Sequence, residues 1–389
     1  MARRANGEGT VYQRKDGRWE AAAYVLTADG TRKRVRVYGA TREEAGRKRA
    51  HLIAQDQRGI PTESGNRLRD YLTYWLAEVA QHELRPRTFE TYARCVNRHI
   101  VPAIGGKRLH SLTPADVRSL LNAKLAEGLA PRTVHYIRAV LRSALSQALR
   151  EGLVQRNVAG LVRPPRAPRR EVQALTVEEA RLLLQTARTD RLYALWVIAL
   201  TLGLRRAELL GLTWPMVDFE QDTLRVTQGV QRVAGRLVLD ELKSDRSHRT
   251  LPLPKMAGDA LRDHRDRQER EQASAGGHWV ANRLVFCTEY GTPIDPRNLN
   301  RSFRSLLIRS RVRVDVTQDD MGRETFAPAL RLHDLRHSCA SFLLASGASP
   351  RVVMEILGHS GIAVTMNTYA HVLPTLLGGA VDGMDDVLG

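Results

Sequence analysis

A proline- and arginine-rich segment near the middle of the chain restricts most strongly how this sequence can fold. Residues 163–171 read Arg-Pro-Pro-Arg-Ala-Pro-Arg-Arg-Glu. Proline cannot continue a helix and lacks the N–H that a central strand needs. We interpret the segment as a stiff, cationic linker. The parts of this 389-residue chain on its two sides are therefore expected to fold as separate bodies.

A second break divides the N-terminal part again, at residues 59–65 with the sequence Gly-Ile-Pro-Thr-Glu-Ser-Gly. The expected fold class is multidomain α+β, with a small three-stranded sheet plus a helix first, an all-α domain second and a mixed, mainly helical domain last. The predicted boundaries are 1–60, 61–162, the linker 163–171, and 172–389.

Several classes of protein are excluded by composition. No apolar run is long enough for a membrane span, and Met1 leads into polar sequence rather than into the apolar core of a signal peptide. Cys95, Cys287 and Cys339 are odd in number and widely spaced, which fits neither a disulfide framework nor a zinc site. The sequence therefore predicts a cytoplasmic protein.

The positive charge of the chain is concentrated in its N-terminal half. The net charge of +18 divides into +7 for residues 1–60, +10 for residues 61–171 and +1 for the remainder. This asymmetry favours a polyanionic partner for the first two domains, and a basic surface kept for solubility is the alternative. Beyond residue 171 the only lysines are Lys243 and Lys255, so a lysine needed there has two candidates.

Residues 10–38 alternate as strands do, with turn signals at Asp16-Gly17 and Asp29-Gly30. They predict a three-stranded meander, followed by a helix that a capping box opens at Thr41. In the third strand arginines alternate with valines, which gives one apolar and one cationic face. We favour DNA binding by the cationic face over simple solvation of its charges. Its candidate contacts are Arg32, Arg34 and Arg36.

The next part predicts four helices, over about 67–80, 87–101, 114–127 and 131–151. Pro86, Pro114 and Pro131 lie at helix starts, where the missing N–H costs little. Many arginines lie along these helices, which indicates a basic, DNA-binding helical domain. The candidate contacts in it are Arg87, Arg132 and Arg138.

The C-terminal part lacks a phosphate loop ending in Gly-Lys-Ser/Thr, a Gly-x-Ser-x-Gly motif and a cluster with metal-ligand spacing. It carries instead a set of arginines, histidines and a tyrosine. Each residue alone fits a structural role, but together they suit displacement at a phosphodiester. Arginines can clamp the nonbridging oxygens, tyrosine can attack, and histidine and lysine can move protons. The set comprises Arg205, His333, Arg336, His359 and Tyr369.

At these residues the sequence resembles the tyrosine recombinase family, in particular integrases of phages and integrative elements. Four segments carry the resemblance in the family's order, and it covers about 172–372 closely. Residues 67–160 resemble the family's SAM-like core-binding domain more loosely, and residues 1–58 resemble small arm-binding domains. The four segments are Thr201-Leu-Gly-Leu-Arg-Arg-Ala-Glu208, Leu242-Lys-Ser-Asp-Arg-Ser-His-Arg249, Leu332-His-Asp-Leu-Arg-His337, and Leu357-Gly-His-Ser360 with Thr365-Met-Asn-Thr-Tyr369.

The resemblance implies a role for each matching residue. Tyr369 forms a 3′-phosphotyrosine and releases a 5′-hydroxyl. Arg205 and Arg336 bind the phosphate, and His359 donates a hydrogen bond to it. His333 assists proton transfer at the tyrosine and Lys243 protonates the departing oxygen. Glu208 supports the site.

The resemblance also implies partners. They are double-stranded DNA with core and arm sites and a homotetramer that passes through a Holliday junction. It implies no metal or other cofactor, and it admits an excision factor or a host DNA-bending protein.

Two features depart from the family pattern. Ala207 stands where a glycine is frequent, and the acidic stretch 315–322 is interpreted as an inserted loop. A topoisomerase of type IB and a non-catalytic DNA-binding regulator are the alternative functions. The two predicted DNA-binding domains argue against the first, and the complete set of catalytic residue types argues against the second.

Overall fold

A computed structural model describes residues 10–26, 32–57, 67–166, 174–233, 235–242, 248–318 and 323–358. Lys243, His359 and Tyr369 lie outside the described residues, as do residues 361–371, for which the sequence pattern predicts a helix. The chain divides into two compact units, Met1–Arg169 and Arg170–Gly389. Among the described residues, no helix is long and apolar enough to cross a membrane.

The first unit begins with the predicted meander and helix. Strands β1 (Thr10–Gln13), β2 (Trp19–Leu26) and β3 (Arg32–Gly39) form an antiparallel sheet in that order, and α1 (Arg42–Gln57) follows. The capping box is confirmed, because the Glu44 N–H donates to Thr41 Oγ1 at 3.1 Å and the Ala40 N–H donates to Glu44 Oε2 at 2.8 Å.

The alternation in β3 is confirmed as well. Val35 and Val37 pack on a small core that includes Ala23, Val25 and Leu52. The arginines of β3 are exposed. One strand thus supplies both a packed face and a cationic face.

The rest of the first unit is an all-helical body. Its helices are α2 (Leu68–Tyr74), α3 (Gln81–Glu83), α4 (Pro86–Cys95), α5 (Val101–Ile104), α6 (Pro114–Ala126) and α7 (Pro131–Arg150). π-helical turns at Trp75–Ala80 and Val96–Ile100 join α2 to α3 and α4 to α5. The first predicted helix therefore runs on to Glu83. The three prolines open α4, α6 and α7 as predicted.

One apolar core holds this helical body together. Along α7 the buried side chains recur with helical spacing, and Val134, Ile137 and Leu141 are fully buried. The Tyr71 hydroxyl donates to the Ala144 carbonyl at 2.8 Å and so ties α2 to α7.

The second unit surrounds a helix that is buried on all sides, α9 (Tyr193–Thr201), which packs against α11 (Lys255–Ala275) and α13 (Asp334–Ala345). Its other helices are α8 (Val177–Thr186), α10 (Arg206–Gly211), α11 (Lys255–Ala275), α12 (Pro296–Ser310), α13 (Asp334–Ala345) and α14 (Pro350–Leu357). The strands are β4 (Val217–Asp218), β5 (Thr223–Val226), β6 (Gln228–Val233), β7 (Arg236–Glu241), β8 (Arg249–Pro252), β9 (Val314–Gln318) and β10 (Glu324–Pro328).

Around residues 222–229 the sequence pattern predicts one strand, but the structure has two, because β5 pairs with β4 and β8 whereas β6 pairs with β7. Residues 315–318 of the predicted inserted loop belong instead to strand β9, which pairs with β10 so that Phe326 lies opposite Val316. Residues 319–322 lie outside the described residues. The small antiparallel sheets and mainly helical content otherwise agree with the expected fold class.

Candidate active site

The first arginine of the site follows a tight bend after α9. Gly203 adopts a left-handed conformation with φ of +59°. A Cβ atom there would lie 2.5 Å from Leu357 Cδ2 and 3.1 Å from Cys339 Sγ, so a side chain has no room. Arg205 then occupies the N-cap position of α10 in an extended conformation. The bend therefore sets where the Arg205 guanidinium lies.

A buried carboxylate holds Arg205 in place. Glu208 is 1% exposed and accepts from the Arg205 N–H at 2.9 Å and from Arg205 Nη1 at 2.7 Å. It also accepts from Arg249 Nη2 at 2.9 Å. Burial by itself would raise the pKa of Glu208, but the charges and hydrogen bonds of Arg249 and Arg205 outweigh it and lower this pKa. Glu208 is therefore an anion that orients two guanidinium groups.

The second arginine lies in the first turn of α13. His333 occupies the N-cap position of this helix. Arg336 lies three residues later, and 3% of its surface is exposed. Arg336 Nη1 donates to the Gly203 carbonyl at 2.8 Å. Asp334 fixes the start of α13, because it accepts from the Arg331 N–H at 2.8 Å. Arg336 thus connects α13 to the bend that precedes Arg205.

The C-terminal end of α14 brings the arginines together. Gly358 ends this helix in a left-handed conformation, with φ of +63°. Arg336 Nη2 donates to the Leu357 carbonyl at 2.5 Å, and Arg205 Nη2 donates to the Gly358 carbonyl at 2.7 Å. Arg249 Nε donates to the preceding carbonyl, that of Ile356, at 2.7 Å. Three consecutive carbonyls are therefore held by three guanidinium groups.

His333 lies at the surface beside this group. Its ring packs edge-on against His337, with centroids 5.1 Å apart. Partial burial of the ring, together with the nearby charges of His337, Arg336 and Arg331, lowers the pKa of His333 to about 4, although Asp334 opposes the shift. The imidazole of the free protein is therefore neutral at pH 7 and can accept a proton.

A cavity of about 480 Å³ opens beside His333. Arg206, Arg304 and Arg331 line it, with Phe303 and Leu330 among its apolar side chains. Its cationic lining is suited to a polyanion.

The structure thus brings together Arg205, Glu208 and Arg336 and places His333 one helical turn before Arg336. Arg249 could not be identified as part of the site from the sequence. It lies within the Lys243 segment, but the sequence contains 53 arginines and no local pattern distinguishes this one. Only its pairing partner and its bonds single it out.

The candidate DNA contacts on the sheet share one face. Arg34 lies opposite Tyr24, and Arg36 lies next along β3 on the same side. Tyr24 is 58% exposed, and Tyr12 and Tyr38 are exposed as well. Arg32 lies at the end of this row and pairs with Asp56 at 3.4 Å. The face therefore combines guanidinium groups with exposed aromatic rings.

The candidate contacts on the helical body differ from one another. Arg87 and Arg132 are exposed and each follows the proline that opens its helix, α4 or α7. Arg138 is half-buried, and its Nη2 donates to the Gly160 carbonyl at 3.2 Å. A helix N-terminus favours anions, which supports the first two positions as phosphate contacts.

Comparison with known proteins identifies the family of this chain. The phage integrase family profile matches residues 173–375, and the SAM-like N-terminal domain of phage integrases matches residues 67–125. An integrase of Streptomyces ambofaciens is 31% identical, over 97% of this chain and 96% of that one. A XerC-like tyrosine recombinase of Caldanaerobacter subterraneus is 28% identical, over 90% and 91% of the two chains.

The fold has a match among solved structures as well. The structure of the Tn1549 transposon integrase in complex with transposon right-end DNA superposes with a TM-score of 0.66 at 19% identity, over 83% of this chain and all of that one. The family match and the relatives assign the chain to a class of DNA breaking and rejoining enzymes. The chain belongs to the phage integrase family of tyrosine-type site-specific recombinases.

We expect Gly203→Ala to destabilise the second unit by about 2–5 kcal/mol, because the new methyl group adds a clash with Leu357 to an unfavourable backbone conformation. Gly347→Ala is the matched control. Its φ is +88° but nothing lies within 4 Å of its Cβ position, so the expected loss is about 1 kcal/mol. Urea titration measures both free energies of unfolding. Equal losses would show that the close approach at Gly203 does not matter.

We expect the imidazole of His333 to titrate near pH 4 in the free protein. An unfolded chain binds this proton near pH 6.5, so the contribution of His333 to stability is lost as pH falls from 6.5 towards 4. NMR titration of the assigned ring measures its midpoint. His337→Asn removes one of the charges that lower the pKa of His333, so it should raise that midpoint. A midpoint near 6.5 in wild type would contradict the prediction.

Proposed function

We propose that this chain integrates and excises a mobile genetic element by cutting and rejoining DNA through Tyr369. The observation that carries this proposal is the convergence of Arg205 and Arg336 on the end of α14, directly before the segment that contains His359 and Tyr369 in the sequence. A phosphodiester bound there would contact two guanidinium groups that Glu208 and the carbonyls at the end of α14 hold in place.

Arg205 and Arg336 bind the nonbridging oxygens of the scissile phosphate. Guanidinium groups match phosphate geometry and stabilise the charge that grows on these oxygens in the transition state. Because Glu208 and the carbonyls of α14 hold them before DNA arrives, little reorganisation is needed during the reaction.

Tyr369 Oη attacks phosphorus and forms the new P–O bond while the bond from phosphorus to the 5′ oxygen breaks. His333 accepts the phenolic proton, because its imidazole is unprotonated at pH 7. His359 donates a hydrogen bond to the phosphate. The 3′-phosphotyrosine retains the energy of the broken bond, so a 5′-hydroxyl from another strand can reverse the step.

Lys243 supplies the proton for the departing 5′ oxygen. It belongs to the segment between β7 and β8, and β8 pairs with the β5 strand of the same unit. Lys255, the other lysine beyond residue 171, is the exposed first residue of α11. An exposed residue that opens a long surface helix is the weaker candidate.

The N-terminal domains select the DNA. Residues 1–60 bind arm-type sites through Arg32, Arg34 and Arg36, and residues 61–162 bind core sites through Arg87, Arg132 and Arg138. Residues 163–171 connect them to the catalytic domain, 172–389. Two modules on one chain raise the effective concentration of the second DNA site once the first is bound.

Recombination of two DNA sites requires four active sites, so the working assembly is a homotetramer that passes through a Holliday junction. It acts in the cytoplasm, on the nucleoid, and the assembly admits an excision factor or a host DNA-bending protein as a further partner. The family resemblance supports this assembly.

The test uses DNA that flanks the gene, nicked near candidate crossover sites to trap the covalent product, with EDTA present. Wild type is expected to give a protein–DNA adduct on a denaturing gel, and Tyr369→Phe none, because the attacking oxygen is missing. Tyr290→Phe is the control, since this tyrosine is 52% exposed and outside the proposed site.

Specific DNA binding without an adduct from wild type would favour a regulator over an enzyme. An adduct followed only by relaxation of supercoiled DNA, with no strand exchange between two sites, would favour a topoisomerase.

We expect the double variant Arg34→Gln/Arg36→Gln to bind arm-type DNA more weakly and with a smaller salt dependence. Each lost phosphate contact reduces the slope of log K against log salt by about 0.9. Arg262→Gln/Arg265→Gln removes the same charge from exposed positions of α11 and serves as control. Fluorescence anisotropy at several salt concentrations measures the slopes, and equal slopes for the two double variants would contradict DNA contact by the sheet face.

A further inference from the structure

Arg249 has no role in the reaction described above, yet it makes several enclosed polar contacts near the site. It is the first residue of β8 and pairs with Val226 of β5. Its side chain is 7% exposed. A guanidinium so far removed from solvent is stable only when its donors are satisfied.

The bonds of Arg249 are divided between two parts of the site. Its Nη2 lies 2.9 Å from Glu208 Oε2, and its Nε donates to the Ile356 carbonyl at 2.7 Å. Glu208 in turn holds Arg205, whose Nη2 donates to the Gly358 carbonyl. Arg249, Glu208, Arg205 and the two carbonyls of the α14 end form a closed ring of contacts that joins β8, the start of α10 and the end of α14.

This ring fixes two positions at once. A planar guanidinium offers its N–H groups in a rigid fork, so the carboxylate of Glu208 and the end of α14 cannot move independently while both are bound. Arg205 follows the carboxylate, because two of its N–H groups donate to Glu208. Arg205 and the end of α14 therefore keep a fixed position relative to each other.

We propose that Arg249 is a positioning residue for strand cleavage, which aligns Arg205 through Glu208 and holds the end of α14 in register with it. Arg249 itself does not contact the DNA. This inference rests on the proposed function, because it concerns the cleavage step of that reaction.

The test measures single-turnover formation of the covalent adduct on the nicked DNA. Arg249→Gln is expected to lower the cleavage rate by about 100-fold, the order of loss that a misplacement of about 1 Å produces. DNA affinity should stay about the same, because binding depends on the basic N-terminal domains. A fall in affinity that accounts for the loss of rate would overturn the proposal.

The conservative variant keeps the test valid if Arg249→Gln folds poorly. Arg249→Lys retains the charge, but one ammonium cannot reproduce the fork between Glu208 and Ile356. We expect an intermediate cleavage rate with near wild-type stability in urea. A wild-type rate would show that charge alone is needed and would overturn the proposal.

Arg191 provides a matched control in the same unit. It also bridges a carboxylate and a carbonyl, with Nε and Nη2 at 2.7 and 2.6 Å from Glu271 oxygens and Nη1 at 2.6 Å from the Cys287 carbonyl. Arg191→Gln should lower stability but leave the cleavage rate of the folded protein unchanged. An equal loss of rate in this variant would mean that any weakened ion pair slows cleavage, against the proposal.

A double variant tests whether Arg249 acts through Glu208. If Arg249 acts through Glu208, the double variant Glu208→Gln/Arg249→Gln should cleave no more slowly than the slower single variant. Multiplied losses would overturn this route.

A DNA with sulfur in place of the bridging 5′ oxygen no longer needs a strong acid at the leaving group, because a thiolate leaves more readily than an alkoxide. The lower cleavage rate of Arg249→Gln should persist on this DNA. Full recovery of the rate would instead mean that Arg249 acts through the acid that protonates the leaving oxygen, against the proposal. Wild type that forms no adduct on either DNA would remove the proposed function, and the inference with it.

Discussion

The rest of the site depends on how the C-terminal end of α14 is held. The last carbonyls of an α-helix have no partner within the helix and carry the negative end of its dipole. In this protein the carbonyls of residues 356, 357 and 358 accept hydrogen bonds from Arg249, Arg336 and Arg205. These arginines come from β8, α13 and the start of α10, so one helix end assembles three distant segments into a single cationic group.

Such a concentration of positive charge needs a compensating anion. Glu208 provides it from a fully buried position between Arg205 and Arg249. Removing water from a carboxylate is costly, and the loss of one partner from such a buried group typically destabilises a protein by about 3–5 kcal/mol. The same bonds that offset this cost also fix the guanidinium of Arg205, the group proposed to bind the scissile phosphate. Under that proposal, stability and catalysis depend on the same contacts.

Local features of the fold could be predicted from local chemistry. Pro86, Pro114 and Pro131 open helices, and the alternation of arginine and valine in β3 gives one packed and one cationic face. Pairing between strands could not be predicted in this way. The chain leaves one sheet after Val226 and enters another at Gln228, and alternation of side chains does not reveal which partner a strand will have.

By itself, the sequence determined the order of the segments, the concentration of charge before residue 171 and the residue types available for the chemistry, including the spacing that puts His333 and Arg336 at one helix start. Only the tertiary structure decided that Arg249, far from Glu208 along the chain, completes the support of Arg205. The physical reason is that burial and donor geometry select one arginine among many, and both arise only when β8, α10 and α14 pack together.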